Sequence, residues 1–474
     1  MNKNSKSRIS HFLFLALFIL LSCKNSTSDK VLNANGIWQQ IGYGKIVEIQ
    51  DDTIKVSDIS KVSCVSYAKE PILDFGKVKK VNKDTLTIEH GIDNWKFIKL
   101  QQLPALCNQK NIAENNDPIA NFETFWHTFN EHYSAFNIRN VEWDSTYRKF
   151  EPKINAKSSD LELYEVLNEM VSTLNDDHTQ VKLPDDLENK FETKVAESKY
   201  SKIFEFQLSE DIARNYVDSL HSYNAGMVRW GMIENEIGYI QINAMLMLAN
   251  YDVPKALSLQ DFFPRYWEIA ESRKDEIQRQ DEVNGANFIL DSVLTSLKGA
   301  KAYILDIRFN GGGKDGAALA ILNHFTSKRT KAFTKKAKTE NGFTPKQDLF
   351  LHPTEKNFTG EVILLTSHQT ASAAEILTLS SIALPNITRI GSNTEGIFSS
   401  TLDKQLPNGW KYELSNEVYE DINSKNYEGI GIPAHHTIEY SKNKDNFFEQ
   451  LINGLDHGDS AIEKALKIYN NESN

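Results

Sequence analysis

Three segments of this 474-residue chain hold residue types whose spacing could do chemistry. Thr370-Ala-Ser372-Ala-Ala-Glu375 follows an apolar run and opens a helical stretch. A serine there presents its Oγ at a helix N-terminus, where free N–H groups and the dipole favour developing negative charge. Taken alone, it is equally an ordinary N-cap serine. Asp306-Ile-Arg-Phe-Asn310-Gly-Gly-Gly313 comes directly after an apolar strand pattern. Its glycines let the backbone approach a ligand closely and leave N–H groups free to face an anion; alone, it is a tight strand-to-helix turn. Asn175-Asp-Asp-His178-Thr179 places a histidine on a polar loop among carboxylates. Such a ring can be held in one tautomer and accept a proton, or it can simply be a solvated loop residue.

Other chemistries fit less well. Gly311-x-Gly313-x-x-Gly316 satisfies a dinucleotide fingerprint on paper, but Arg308, Phe309 and Asn310 separate it from the strand end. A Walker A loop fails because Asp315, not Ser or Thr, follows Lys314. His127 and His132 are five apart, on different faces of a helix, and His435-His436 has no partner at ligand spacing, so no metal or cofactor is expected. A net charge of -11 and a pI of about 5.6 argue against nucleic acid as a partner.

The elements that must position these segments read as follows. Residues 35–105 alternate apolar and polar residues, as in Lys45-Ile-Val-Glu-Ile-Gln and Thr85-Leu-Thr-Ile-Glu, and predict a small β domain. Residues 114–185 predict a helical unit carrying His178. In it Phe122, Phe125, Phe129 and Tyr133 form a core stripe, and Ser159-x-x-Glu162 forms a capping box. Residues 186–234 are charged and poorly periodic, and predict an irregular connection. From 235 to 441 strand patterns (237–242, 302–307, 361–366, 386–390) alternate with helical ones (316–325, 372–384), which argues a layered α/β core. A last segment, 442–474, predicts a closing amphipathic helix at 457–470.

The N-terminus carries a separate signal. Lys3, Lys6 and Arg8 precede the apolar run Phe12 to Leu21, too short to span a bilayer but suited to a secretory leader over residues 1–22. The run ends in Leu20-Leu21-Ser22-Cys23, which resembles a lipoprotein cleavage box with Cys23 as the acylated residue. Residues 23–34 then form a polar tether. The expected place is the cell envelope: membrane-anchored through lipid, on the periplasmic face of the outer membrane or at the cell surface. Cys64 and Cys107 remain as a pair able to form a disulfide in an oxidising compartment, with two buried thiols as the alternative.

Taken together, residues 114–441 resemble the C-terminal-processing (tail-specific) serine peptidase family, which includes tricorn protease and the retinoid-binding repeats of the vertebrate eye. The resemblance rests on Asp306-x-Arg-x-Asn-x-Gly-Gly313, Thr370-Ala-Ser-Ala-Ala-Glu375, Asp177-His-Thr179 and Tyr427-Glu-Gly-Ile-Gly-Ile-Pro433, in the family's order. It implies a crotonase/ClpP-like α/β core with a helical cap, and a protein or peptide substrate. It implies Ser372 as nucleophile, with the N–H groups of Ala373 and a glycine of 311–313, here Gly312, as oxyanion hole. The bacterial branch activates its serine with a lysine in Gly-x-x-Thr-x-Gly-Lys; here Gly391-Ser-Asn-Thr-Glu-Gly396 is followed by Ile397, which accepts no proton. The tricorn-like Ser-His-Glu pattern maps instead onto Ser372, His178 and Glu428. Ala434 stands where an aspartate commonly follows the proline. The alternatives are a Ser-Lys dyad using Lys404 or Lys411, and a catalytically silent module holding lipid or peptide.

Overall fold

The computed structural model describes residues 33–108, 116–182, 187, 198–254 and 257–472. The leader pattern at 1–22, Cys23 and most of the tether therefore lie outside the described residues.

The N-terminal unit is an antiparallel sheet of seven strands: β1 Gly36–Gln40, β2 Lys45–Gln50, β3 Thr53–Ile59, β4 Cys64–Pro71, β5 Lys77–Val81, β6 Thr85–His90 and β7 Asp93–Leu100, in the order β4-β3-β2-β1-β7-β6-β5. The period-2 alternation puts Trp38, Val47, Ile54, Val56, Ile88 and Phe97 into one core. Cys64 and Cys107 are joined by a disulfide, Cα–Cα 4.9 Å, across 43 residues of sequence.

The cap holds α1 Pro118–His132, α2 Trp143–Phe150 and α3 Asp160–Ser172. Asp117 caps α1 by accepting from the Ile119 N–H, with Pro118 at the first helical position. The capping box forms at α3: Glu162 N–H donates to Ser159 Oγ at 3.3 Å and Ser159 N–H to the Glu162 carboxylate at 2.7 Å. The stripe Phe122, Phe125, Phe129 and Tyr133 is buried against α3 and against Tyr412 and Leu414 of the core. A two-residue strand, β8 Gln180–Val181, pairs with β19 Lys411–Ser415. The loop 173–179 that carries His178 is therefore held at both ends, by α3 and by β8.

The segment expected to be irregular, 186–234, includes α4 Lys202–Arg214, β9 His221–Tyr223 and β10 Val228–Ile233. Charged residues on the outer side of α4 mask its short apolar stripe of Leu208, Ile212 and Ala213. The central sheet runs β21-β17-β16-β12-β11-β10-β9. β11 Ile237–Ile242, β12 Ala302–Asp306, β16 Val362–Thr366, β17 Ile387–Gly391 and β21 His436–Thr437 are parallel, and β10 and β9 are antiparallel at one edge. β11, β12 and β16 are buried along their whole length, as strands covered on both faces must be. Leu305 and Leu364 face the layer of α5 Leu259–Glu271, α6 Asp275–Ser296, α7 Asp315–Asn323 and α8 Ala373–Ser381. Ile304 and Ile363 face α4 and the C-terminal helices. The single closing helix expected is a pair, α9 Lys444–His457 and α10 Ser460–Glu472, broken at Gly458 with φ 90°.

Candidate active site

In open parallel sheets ligands bind beyond the carboxyl ends of the strands. Here β12 and β16 lie side by side, with Asp306 opposite Leu365, so the loops 307–314 and 367–372 leave the sheet as neighbours. The Asp306-x-Arg-x-Asn motif builds the first loop. Arg308 is fully buried: Nε and Nη2 donate to Asp306, and Nη1 donates to Asp459 and to the Tyr440 hydroxyl. A buried guanidinium needs such complete pairing, and it ties the loop to the start of α10. Asn310 Nδ2 donates to the Ile242 carbonyl, and the Asn310 carbonyl accepts the Ala371 N–H. Ser367 Oγ donates to the Arg308 carbonyl and Thr370 Oγ1 to that of Ile307, which laces the second loop to the first.

Ser372 ends that second loop as the N-cap of α8, with φ 53° and ψ -125°. A non-glycine residue at such angles carries about 1–3 kcal/mol of strain, and a sharp strand-to-helix turn of this kind lifts a side chain clear of the sheet. Crowding beneath it explains one glycine: a Cβ on Gly312 would lie 2.6 Å from Ser372 Cβ and 3.0 Å from the Ala373 nitrogen.

Of the two N–H groups expected to receive the oxyanion, that of Gly312 has an acceptor within its own loop. The Gly312 N–H donates to Asn310 Oδ1 at 2.9 Å, so it is already engaged. The Gly312 carbonyl and the Lys314 N–H both bond Met245. Along an extended segment alternate residues present their backbone groups to opposite sides, so Gly313 presents its N–H away from Met245. Ala373 opens α8, where N–H groups have no helical partner.

His178 and Ser372 line one cleft of about 460 Å³. Asp176 fixes the histidine loop: Oδ1 accepts the His178 N–H at 3.0 Å, Oδ2 accepts the Tyr133 hydroxyl at 2.9 Å, and its carbonyl accepts both the N–H and Oγ1 of Thr179. The Nδ1 of His178 lies 2.5 Å from the Ser399 carbonyl oxygen. A carbonyl accepts only, so Nδ1 carries the proton and Nε2 the free lone pair.

Glu428 sits one layer away. Its Oε1 accepts from Arg139 Nη2 at 3.0 Å and its Oε2 from the Phe398 N–H at 3.0 Å. Burial pushes this carboxyl up to about 7, with the Phe398 N–H and Arg139 pulling the other way and Asp176 adding to the rise. Glu375, on α8, receives the N–H groups of Gly396 and Ile397 at 2.8 and 2.7 Å, and burial holds its carboxyl up to about 8. Two buried carboxyls thus grip the segment 396–399. The same segment accepts the Ser372 N–H at the Ile397 carbonyl and His178 Nδ1 at the Ser399 carbonyl. Arg139 and the Ser399 carbonyl were absent from the expected set. The first lies outside every motif, and a main-chain oxygen leaves no mark on residue identity.

The two lysines of the dyad alternative are placed elsewhere. Lys404 Nζ is buried and donates to the Tyr43 and Gly44 carbonyls and to Asp58, all in the N-terminal sheet. Burial draws it down to about 8. Lys411 is exposed on β19.

Two segments of the chain match known protein families. Residues 236–438 match the model of peptidase family S41, and residues 115–172 match that of the tricorn protease C1 domain. None of the curated proteins matches. A solved structure from Parabacteroides merdae ATCC 43184 is 22% identical over 72% of this chain and 97% of its own, with a TM-score of 0.51, and shares the fold. A lipoprotein from Streptococcus agalactiae (16% identical, 72% and 94% covered, TM-score 0.42) and the photosystem II D1 C-terminal processing protease (13%, 73% and 99%, 0.45) are also similar. The S41 model spans the parallel strands, the glycine loop and the serine turn, so residues 236–438 form an S41 peptidase domain and the chain is a serine-type peptidase.

Proposed function

We propose that the chain hydrolyses peptide bonds of proteins or peptides in the cell envelope, with Ser372 as nucleophile and His178 as general base. The observation that carries the reading is the shared cleft. Ser372 stands on a strained turn at a helix N-terminus, and His178, with Nδ1 on a carbonyl, opens onto the same space. His178 Nε2 takes the Oγ proton as Ser372 attacks the scissile carbonyl. The N–H groups of Ala373 and Gly313, rather than Gly312, receive the oxyanion, each worth about 2.7–4 kcal/mol of barrier. His178 then returns the proton to the leaving amine and activates the water that releases the acyl group.

Glu428 supports this chemistry through the backbone. It holds Phe398, the residue before the carbonyl that orients His178, and it neutralises Arg139, whose Nη1 donates to the Asn175 carbonyl at the root of the histidine loop. The envelope assignment rests on the leader pattern and Cys23 in the sequence; among the described residues no helix is long and apolar enough to cross a membrane. A fluorophosphonate probe with mass mapping tests the reading. Labelling is expected at Ser372 and should vanish in His178→Ala; labelling elsewhere, or none in a preparation that cleaves peptides, would overturn it.

A further inference from the structure

The catalytic reading leaves the seven-stranded N-terminal sheet without a task, and the family models, at 115–172 and 236–438, do not reach it. Yet the β6–β7 turn, His90 to Asp93, lines the same cleft as Ser372 and His178. Three elements of the peptidase core fix the turn there. The Gly91 N–H donates to Glu276 of α6 at 3.0 Å. Gln347, on β15 Gln347–Leu351, donates to the Ile92 carbonyl at 2.8 Å and accepts the Asn94 N–H at 3.0 Å. Asp93 pairs with the buried ammonium of Lys335, on β13 Thr330–Thr339, which also binds Glu417 at 3.1 Å. Hydrogen bonds to backbone groups on both sides of Ile92 hold its side chain in one place, packed against the main core of the peptidase.

The cleft beyond the serine runs between two helices. Glu276, Val283 and Asn287 mark one face of α6, and Gly316, Leu319 and Asn323, at helical spacing, mark one face of α7. Val283 and Ile92 both face the first turn of α7: a Cβ on Gly316 would stand 2.8 Å from Val283 Cγ2 and 3.8 Å from Ile92 Cγ2. That turn starts two residues after Gly313. A scissile carbonyl whose oxygen sits on the Gly313 and Ala373 N–H groups carries its side chain two bonds from the carbonyl carbon, and this recess belongs to the same cleft as Ser372.

Resting on the Ser372–His178 reading, we infer that the N-terminal β domain forms one wall of the pocket receiving the substrate side chain on the acyl side of the scissile bond. Ile92 limits the size of the side chain admitted. The domain is a specificity element that reaches the cleft through its β6–β7 turn.

The test compares two fluorogenic peptides differing only at that residue, alanine against phenylalanine, for wild type, Ile92→Ala and Ile92→Trp. Rates are normalised to probe-titrated Ser372. A pocket wall changes discrimination by about tenfold or more per large change in side-chain volume. Ile92→Ala should raise the phenylalanine-to-alanine ratio of kcat/KM about tenfold, and Ile92→Trp should lower it by a similar factor. Because each ratio is taken within one preparation, partial misfolding cancels. Ratios equal to wild type in both variants, with Ser372 fully titrated, would overturn the wall; failure of the probe to label wild-type Ser372 would instead overturn the catalytic reading beneath it.

Discussion

Replacing Glu428 by Gln separates two ways in which a buried carboxylate can serve a histidine base. Where a carboxylate bonds the imidazole directly, its amide inverts the tautomer and costs about 10⁴ in turnover. Here His178 Nδ1 faces the Ser399 carbonyl, and Glu428 touches Phe398 and Arg139. Glutamine keeps an oxygen for the Phe398 N–H. The segment also stays anchored by two bonds to Glu375 and one from the Ser372 N–H. The expected loss in kcat is therefore about tenfold or less, near 1.4 kcal/mol of barrier. The bond from Arg139 loses its charge assistance. The assay is the pH profile of kcat/KM for both proteins, with thermal unfolding alongside. The acid limb should keep its midpoint, since the group on Nδ1 is unchanged. Stability should respond differently to pH. With its folded carboxyl raised from 4.5 to about 7, Glu428 holds its proton in the native state after the unfolded chain has released it. Folding is thus weakened as pH rises between those values, and Glu428→Gln should flatten that slope. A loss of about 10³ or more in kcat, with the acid limb displaced, would refute indirect support and restore Glu428 as a direct partner.

Ser372→Ala and His178→Ala should each lower kcat by about 10⁴ or more with KM little changed, measured on a fluorogenic peptide; near-wild-type turnover in either would end the assignment. Lys404→Met should lower the unfolding midpoint, because it leaves Asp58 with Lys45 as its ammonium partner, and turnover per folded molecule should stay near wild type; abolished chemistry in folded protein would revive the dyad. Gly312→Ala drives a methyl into Ser372 Cβ and the Ala373 nitrogen, and should cost at least about 10² in kcat, as loss of one oxyanion donor does. Cys23→Ala should move the protein from the detergent to the aqueous phase on partitioning, and unchanged partitioning would exclude the lipid anchor.

What the sequence revealed follows from which interactions leave a residue-type signature. Continuous burial of β12 and β16 wrote apolar runs, and period-2 alternation wrote the N-terminal sheet, so both were legible. The capping box at Ser159 was legible because two side chains must cooperate at fixed spacing. α4 was not, since its buried stripe is short and its outer face is charged. The helix expected at 457–470 corresponds to α10, and α9 before it was not read; Asp459 between them is partner to Arg308 and the α10 N-terminus at once.

The same logic divides the candidate site. Motif residues were found as a set, but their division of labour depends on where each hydrogen bond goes. Asp306 and Arg308 read as part of a ligand loop, and in the fold they are its buried scaffold. Glu428 matched a triad position, yet its oxygens are filled by a guanidinium and a main-chain N–H. Orientation of His178 falls to a carbonyl, which any residue at 399 would supply. Substitution at Ser399 should therefore act only through its Oγ, which accepts the Glu417 N–H at 3.0 Å and donates to the Ser400 carbonyl. A carbonyl without net charge orients the neutral imidazole but gives the imidazolium less than a carboxylate would. The rate in such a site must lean on the oxyanion donors and on the strained serine turn, and that is where the sequence placed its densest run of small residues, from Gly311 to Gly313 and from Ala371 to Ala374.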